Sequence, residues 1–476
     1  MKQEMKRTYL SGRIILIASA CLALSVCVSS PALSFDDAIP DGKVELTYTL
    51  DECIHMAHRQ SPMILAAEAE MKRTRGVIWQ AWASIVSASA DIGYSYFDPE
   101  LATGGTIPAN SFGPGFPATD VLLGAEPSHH RWSATGEASI PIFTGGRVVN
   151  GIKVAYLQDD IAYEQYRVAV GEALYGVKTA FYGILLAEEL VRVRTESLEV
   201  LERHHETTLA RYDVGLVSRF DVLRSEVELA NARPPLIEAK NDLKMAGENL
   251  KRILGIDVDE PFGIEGELIL REVDVDLERS LTLAMAQGPE MKVAEYTEEI
   301  ARRNVKMSRG ELLPTVTTFA TYEWAQNERN VNFHDWNNTN DWEFTGGVVM
   351  TVPLLDMAAS IAELKQSRAE YEKALVGYLD TVNVVKVDVK EAYYDLLEAR
   401  EIVESQRLNI EVAEESLRIA EVRYDNGIST LVELLDTELA LTQAKLNYIN
   451  ALYNFEEAHA RLLLILGSDT MESGTK

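Results

Sequence analysis

Residues 211–255 read RYDVGLVSRFDVLRSEVELANARPPLIEAKNDLKMAGENLKRILG, and residues 423–467 read RYDNGISTLVELLDTELALTQAKLNYINALYNFEEAHARLLLILG. The two stretches align without a gap at a constant offset of 212 (423 − 211 = 212), and 15 of the 45 aligned positions are identical. A repeat of this length predicts a chain built from two tandem halves that share one architecture.

Each copy begins with a turn signal and continues as a heptad. Gly215 and Gly427 follow a helical run, where glycine commonly ends a helix because it tolerates positive φ. Ser218 and Thr430 are typical N-caps of a following helix. Large residues then recur every seven positions, and mostly small residues lie three positions further on, which is typical of a coiled-coil seam. An ordinary antiparallel helical hairpin of a soluble bundle has the same pattern, so this stretch leaves both possibilities open. The large column consists of Val222, Leu229, Leu236, Leu243 and Leu250, then Leu434, Leu441, Tyr448, Phe455 and Leu462.

Residues 1–34 are predicted to be a secretory signal peptide. Basic residues precede an apolar stretch at 14–28, and small residues suited to cleavage follow at 30–32. A lipoprotein signal ending at Cys27 is the alternative, although Val26 is a poor residue before such a cysteine. After removal of the signal Cys53 would be the last cysteine left, so no intrachain disulfide is expected.

Composition and motifs exclude several classes of function. The formal net charge is −29, which argues against nucleic acid as a partner. No stretch after the signal approaches 18 consecutive apolar residues, so no transmembrane helix is expected. Cys53, His55 and His58 share one helix, but Cys53 falls in an apolar column and a methionine, Met285, replaces His58 in the second half. With no phosphate loop or nucleophile motif either, we expect no enzyme, no metal and no cofactor.

Four segments alternate strictly between apolar and polar residues, which predicts strands at 86–97, 130–141, 314–325 and 342–353. Their length is close to the ~10 residues that a membrane-spanning strand needs. Aromatic residues cluster toward one end, as in an interfacial girdle. A water-soluble sheet packed on a helix is the alternative. If the strands span a membrane, the lipid face should include Ile92, Tyr94, Ala134, Ile140, Phe344, Val348 and Val352.

The rest of the chain is predicted to be helical. Unbroken helical sequence at 147–213 and 358–425 would reach ~100 Å at 1.5 Å per residue, which no compact domain requires. The heptad helices are predicted at 218–254 and 430–466, and Pro234-Pro235 should kink or break the first of them. Repeat 1 then covers 35–255 and repeat 2 covers 277–467. Residues 256–276 form a linker, and 468–476 form a disordered tail.

The order of helix, strand, strand, very long helix, tip and heptad helix, present twice, resembles the outer-membrane efflux protein family over roughly 45–467. The motifs that carry the resemblance are Pro-Ile-Phe-Thr-Gly-Gly-Arg at 141–147, Arg-Tyr-Asp-Val-Gly-Leu-Val-Ser at 211–218 and Arg-Tyr-Asp-Asn-Gly at 423–427. The resemblance implies an α+β chain that forms a trimeric outer-membrane channel. Four strands per chain would complete a 12-stranded barrel, continued across the periplasm by a helical coiled-coil tunnel.

Elementary constraints favour the same trimer. Four strands cannot close a barrel, and an open sheet edge in lipid leaves backbone groups unpaired. Eight strands from two chains would enclose only side chains, whereas 12 strands from three chains would leave a passage.

The resemblance also implies a function and partners. The chain would be the outer-membrane exit duct of a tripartite efflux pump or a type I secretion system in a Gram-negative bacterium, passing drugs, ions or proteins passively. Its partners would be two further copies, outer-membrane lipid, a periplasmic adaptor (membrane-fusion) protein, and an inner-membrane pump of the RND, ABC or MFS type. The alternative is a periplasmic coiled-coil structural protein without a pore.

Two sets of residues acquire roles from the resemblance. The tunnel would close at its periplasmic end through a gate made of Glu433, Asp436, Asp221 and Tyr424. The adaptor would contact the two helix reversals at Val214, Gly215, Leu216 and Ser218 and at Asn426, Gly427, Ile428 and Ser429. The family often has an arginine near the second reversal where this chain has Ser429, so Arg219 or Arg423 would have to substitute.

Overall fold

The computed structural model describes residues 47–96, 130–257, 259–328, 342–354 and 357–467. The predicted signal peptide at 1–34, the lipidation candidate Cys27 and the predicted tail at 468–476 lie outside the described residues. Among the described helices, none has an apolar stretch long enough to cross a bilayer.

The two halves repeat the same order of elements. The first half contains β1 (Thr47–Tyr48), α1 (Leu50–Gln60), α2 (Pro62–Ala83), β2 (Ser87–Tyr96), β3 (His130–Phe143), α3 (Arg147–Asp213) and α4 (Arg219–Leu254). The second half contains β4 (Gly263–Ile264), α5 (Leu277–Gln287), α6 (Pro289–Gly310), β5 (Thr315–Glu328), β6 (Trp342–Thr351), α7 (Met357–Asp425) and α8 (Leu431–Leu466). This α+β fold with tandem repeats agrees with the fold class predicted from the sequence.

The long helices have the predicted extent. Helix α3 has 67 residues and α7 has 69, so each runs for ~100 Å. Helix α3 packs along α4, α7 packs along α8, and α3 also packs against α8. The coiled-coil seams therefore join each long helix to the heptad helix that follows it.

The predicted break at Pro234-Pro235 is wrong, because α4 continues as one helix from Arg219 to Leu254 with both prolines inside it. Each proline removes the backbone donor that would pair with the carbonyl four residues earlier, at Ala230 and Asn231. Both of those residues are exposed, so water can satisfy the two carbonyls. Leu236 is buried directly after the prolines and holds the helix against its neighbours.

Apolar clusters lie where the short helices pack on the long ones. In the first half Cys53 and Ala57 of α1 pack with Phe181 of α3 and Leu250 of α4. Cys53 is fully buried, and burial raises the pKa of its thiol to about 12, whereas His55 and His58 are exposed. The three side chains therefore do not converge. The corresponding cluster of the second half includes Ala284, Met291, Val389, Leu396, Phe455 and Leu462.

Arg167 of α3 forms hydrogen bonds that link the two halves of the chain. Its guanidinium donates to the carboxylate of Glu164 at 2.7 Å and to the carbonyl of Gln287 at 3.2 Å. It also donates to the carbonyl of Gly467 at 3.4 Å. The two carbonyls end α5 and α8, where a helix dipole favours a positive charge.

A close backbone contact joins the sheet to the helices. Gly145 lies between β3 and α3 with φ of 64°, and a Cβ there would be 2.4 Å from the carbonyl oxygen of Gly310. A Cβ on Gly310 would in turn be 2.6 Å from the carbonyl oxygen of Gly145. Both positions therefore require glycine, and they hold the start of α3 against the end of α6.

The four long strands form one antiparallel sheet in the order β2-β3-β5-β6. The chain therefore pairs the last strand of the first half with the first strand of the second half. Strands β2 and β6 lie at the edges. Strands β3 and β5 each extend two or three residues beyond the predicted ends.

The register separates an apolar face from a polar face. Residues with even numbers share one face, because Ile92 pairs with Ala134, Ala134 with Trp324, and Trp324 with Trp342. Ile92 is 83% exposed and Val348 is 64% exposed, so this apolar face is uncovered in the single chain. Six of the seven residues predicted to face lipid lie on it, namely Ile92, Tyr94, Ala134, Ile140, Phe344 and Val348, and Val352 follows the end of β6.

The two faces give the first testable prediction. Val348→Arg should prevent insertion or lower the yield of assembled protein in membranes, since an arginine near the middle of a bilayer costs ~2–4 kcal/mol. Thr345→Arg lies on the opposite face of the same strand and should assemble almost normally. Quantitative immunoblotting of membrane fractions measures both variants, and equal losses would show that the assignment of the faces is wrong.

Candidate functional site

The two helix reversals have the same backbone geometry. At the first, Gly215 has φ of 77°, its amide donates to the carbonyl of Tyr212 at 2.9 Å, and the amide of Leu216 donates to the carbonyl of Arg211 at 2.9 Å. At the second, Gly427 has φ of 70°, and its amide donates to the carbonyl of Tyr424 at 3.0 Å. The amide of Ile428 completes this second turn by donating to the carbonyl of Arg423 at 2.8 Å. Both are Schellman motifs, so a positive φ at the glycine is essential to each turn.

The helices that leave the reversals begin differently. Ser218 and Asp221 cap α4 reciprocally: the Asp221 amide donates to the Ser218 hydroxyl, and the Asp221 carboxylate accepts from the Ser218 amide at 2.9 Å. Thr430 caps α8 through the amide of Glu433 at 3.3 Å. The carboxylate of Glu433 does not return to the cap and instead pairs with Arg423 at 3.0 Å. The carboxylate of Asp221 therefore caps the helix to which it belongs, whereas that of its counterpart Glu433 forms an ion pair between two helices.

Arginine side chains connect the ends of the long helices. Arg211 of α3 pairs with Asp425 of α7 at 2.8 Å, and its guanidinium carbon lies 4.7 Å from the centre of the Tyr424 ring. Arg423 joins the end of α7 to the start of α8 through Glu433. The first contact links the two repeats and the second links α7 to α8. Together they hold both reversals in one arrangement.

The predicted gate residues have different environments. Tyr424 is 9% exposed and packs with Leu201, Leu417 and Leu434, so its ring belongs to the local core. Asp436 is exposed, and Glu433 is partly exposed beside Arg423. The structure thus brings Glu433 and Tyr424 into one network with the arginines, while Asp221 caps α4 and Asp436 faces solvent.

The predicted adaptor contacts form an exposed surface. Val214, Leu216 and Ile428 are 70%, 74% and 69% exposed. Asn426 donates back to the carbonyl of Val422 at 2.6 Å, which keeps the second turn compact. Ser429 is partly buried, and its amide donates to the carbonyl of Arg423 at 3.3 Å. Three large apolar side chains therefore protrude into solvent at the two reversals.

Arg211 and its partner Asp425 are not among the residues predicted from the sequence. Of the two expected replacements for the missing arginine, Arg423 pairs with Glu433, whereas Arg219 is exposed. The sequence does contain a feature that points to this contact, because both copies have Arg-Tyr-Asp directly before the turn, at 211–213 and 423–425. The arginine of the first triplet contacts the tyrosine and the aspartate of the second.

A second charged feature lies on the polar face of the sheet. Glu323 and Glu343 are directly paired across β5 and β6, and Asp91 and Thr135 continue the same row through β3 to β2. Glu137 lies on the same face in the next row. Carboxylates placed opposite each other repel, so this face requires water or cations beside it.

Comparison with known proteins identifies a family and several relatives of this chain. Residues 53–256 and 281–468 match the family model described as outer membrane efflux protein. Outer membrane efflux protein BepC from Brucella suis is 23% identical over 328 residues, covering 67% of this chain and 70% of BepC. Alkaline protease secretion protein AprF from Pseudomonas aeruginosa is 22% identical over 326 residues, covering 67% and 66%. Outer membrane protein TolC from Escherichia coli is 21% identical over 309 residues, covering 64% and 62%. The alignments thus span roughly two thirds of these relatives.

Solved structures have the same fold. VceC from Vibrio cholerae superposes with a TM-score of 0.74 at 16% identity and covers 88% of this chain and 96% of that one. The CmeC outer membrane channel of Campylobacter jejuni superposes with a TM-score of 0.75 at 13% identity and covers 93% of both chains.

The link between α3 and α7 gives the second prediction. Arg211→Met removes an ion pair and a cation–π contact, each worth up to ~1 kcal/mol at an exposed site. Amide hydrogen exchange around both reversals should become faster, while the apolar clusters around Phe181 and Phe455 keep their protection. Arg407→Met is the matched control, because Arg407 pairs only within α7, with Glu404 and Glu411, among the described residues. Equal exchange in the two variants would mean that Arg211 does not hold the reversals together.

Proposed function

The chain belongs to the outer membrane efflux protein family, and we propose that three copies form a duct through which a periplasmic adaptor and an inner-membrane pump expel cargo. Membership of the family makes the chain an outer-membrane efflux channel of a Gram-negative bacterium. The relatives are named for efflux and for protease secretion, and both activities require a passive conduit. We propose that the conduit is gated at the helix reversals.

The sheet is the observation that carries the proposal. Its even-numbered face is apolar and exposed, its odd-numbered face carries carboxylates, and β2 and β6 are edges. In a bilayer, unpaired edge backbone costs several kcal/mol per group, so the edges have to pair with other copies. Pairing of β2 of one copy with β6 of the next closes three copies into 12 strands, with the carboxylates inside. A periplasmic protein without a pore would leave the apolar face in water.

Two helices offer a second contact surface between copies in the same trimer. Helices α4 and α7 each pack on their partner helix and carry a further apolar stripe that is exposed in the single chain. The stripe of α4 includes Phe220, Leu223, Val227, Ile237 and Met245, and the stripe of α7 includes Val376, Leu379, Val387, Tyr394, Leu408 and Val412. Contact between α4 of one copy and α7 of the next buries both stripes. This head-to-tail contact is heterologous, and three such contacts close a ring.

The gate proposal follows from the two acids after the second reversal. Glu433 and Asp436 are three residues apart on one face of α8, so a trimer would bring six carboxylates together. Arg423 partly neutralises Glu433, which leaves Asp436 as the more effective charge. An entrance lined in this way should attract cations and repel anions.

Ion selectivity tests the gate. In planar bilayers the variant with Glu433→Ala and Asp436→Ala should lose cation preference relative to the wild type, and its conductance should change. Removing Glu433 also frees Arg423, which strengthens the effect. The control removes two exposed acids of α7 instead, with Glu372→Ala and Glu414→Ala. Unchanged selectivity of the first variant would remove both acids from the gate.

Export tests the proposed adaptor surface. Leu216→Glu places a charge on an exposed apolar position and should abolish export by the assembled system, because the adaptor would have to bury that charge. A substitution at Gly215 would strain the turn, so Leu216 is the cleaner probe. The variant should still form trimers in the membrane, and Leu216→Met should export normally. Normal export by Leu216→Glu would show that the adaptor docks elsewhere.

A further inference from the structure

A cavity of about 590 Å³ lies between α3 and the hairpin of α7 and α8, about two turns from the second reversal along α8. Its volume falls in the range of small-molecule sites, ~300–1,000 Å³. It is separate from the exposed acids proposed for the gate, since neither Glu433 nor Asp436 lines it. The cavity is formed by three helices of one chain.

Two polar groups at this cavity are buried without a partner. Glu438 of α8 is 6% exposed, and its Oε2 has no hydrogen-bond donor among the described residues. Tyr424 is 9% exposed, and its hydroxyl has no partner within the same residues. A buried carboxylate without a donor costs several kcal/mol unless a ligand or a proton compensates it. The cavity therefore offers an acceptor that a positively charged or donating group would satisfy.

The other charged groups that face the cavity differ in what they already bind. Asp425 pairs with Arg211, and Glu196 pairs with Lys445 at 3.3 Å and with Arg192. Arg203 donates to the backbone carbonyl of Glu199 at 3.4 Å. Glu421, Glu199 and Glu438 have no ion pair in the part of the chain that the structure describes. The lining therefore carries an excess of negative charge.

His204 does not cancel this excess. It lies on α3 in the wall of the cavity, and its Nε2 is buried without a partner among the described residues. Burial lowers the pKa of His204, so its neutral form prevails near neutral pH. A neutral imidazole adds a hydrogen-bonding group without repelling a cation.

The remaining wall is apolar. Val200 of α3, Leu417 of α7, and Leu434 and Leu441 of α8 line the cavity between the polar groups. A bare metal ion would not use these side chains, and the described residues contain no cluster of three metal-binding side chains. An organic cation fits both the carboxylates and the apolar side chains of this lining, because its charged end needs carboxylates and its carbon body needs an apolar wall.

We propose that this cavity is a binding site for a small organic ammonium ion, held by the carboxylate of Glu438 and the hydroxyl of Tyr424. The carbon body of the ligand lies against Leu434, Leu441 and Leu417, and Glu421 adds a second negative charge. The occupant contacts α3, α7 and α8 at once, so it stabilises the packing of these helices. The site shares Tyr424 with the predicted gate residues, but it does not require the ring of acids proposed from Glu433 and Asp436.

The site should depend on pH with a defined sign. Burial raises the pKa of Glu438, nearby Glu421 raises it further, and Lys445 and Arg203 oppose this rise. A protonated Glu438 binds an ammonium ion more weakly than the carboxylate does, so affinity should increase as pH rises. A rise in pH also deprotonates His204. The loss of this positive charge removes a repulsion on the ammonium ion, so it too increases the affinity.

The test uses benzylamine as the ligand and the purified full-length protein in detergent. Isothermal titration calorimetry should show saturable binding with one benzylamine per chain, stronger at pH 8 than at pH 5. Benzyl alcohol has nearly the same shape without the charge, and it should bind about tenfold more weakly, because it cannot make a charge-assisted hydrogen bond to Glu438.

Two variants identify the site. Glu438→Gln keeps the shape of the side chain and should lose most of the affinity and its dependence on pH, whereas Glu414→Gln changes an exposed acid and should bind like the wild type. Elution volume and thermal stability check that both variants are folded. No saturable binding by the wild type, or equal binding by Glu438→Gln, would overturn the proposal.

Discussion

The sheet edges are the constraint on which the rest of the structure depends. Strands β2 and β6 have no neighbouring strand beyond them among the residues that the structure describes, while the face that the register makes apolar is suited to lipid. Lipid offers no hydrogen bonds to an open edge, so the fold is complete when other copies supply the missing strands. Each repeat contributes two strands and one helical hairpin, so in the proposed trimer the three chains would provide a closed barrel and a ring of helices beneath it.

The molecule is held together differently along the length of its helices. About halfway along the long helices, fully buried residues such as Leu250, Phe455 and Leu462 pack into apolar clusters, and next to the sheet the glycines at 145 and 310 bring backbones into contact. At the reversals, Arg211 and Arg423 make ion pairs that are partly exposed, each worth ~0–1 kcal/mol. Regions that open are drawn from the less stable parts of a fold. The reversals therefore agree with the proposed gate, and the apolar clusters midway along the helices with a fixed support.

Most of the fold could be predicted from the sequence because its signals are local and duplicated. Alternation at 86–97 and 342–353 and the heptads after each turn give the element types, and the family resemblance that they support is confirmed. The break expected at the proline pair does not occur, while the kink stays a prediction. Exposure of Ala230 and Asn231 decides the cost of the lost hydrogen bonds, and it depends on tertiary packing. Contacts between the repeats, such as Arg211 with Asp425, join residues 214 positions apart. The unpartnered Oε2 of Glu438 could not be predicted either, because a heptad pattern does not show which polar position becomes buried.

The central claim is that copies of this chain close the sheet. Single-particle cryo-electron microscopy of the protein extracted from membranes tests it most directly. We expect a three-fold symmetric particle in which β2 of each copy pairs with β6 of the next, giving a barrel of 12 strands with Asp91, Glu323 and Glu343 facing the lumen. A monomer with an open four-stranded sheet, or an assembly in which these carboxylates face outward, would contradict the account.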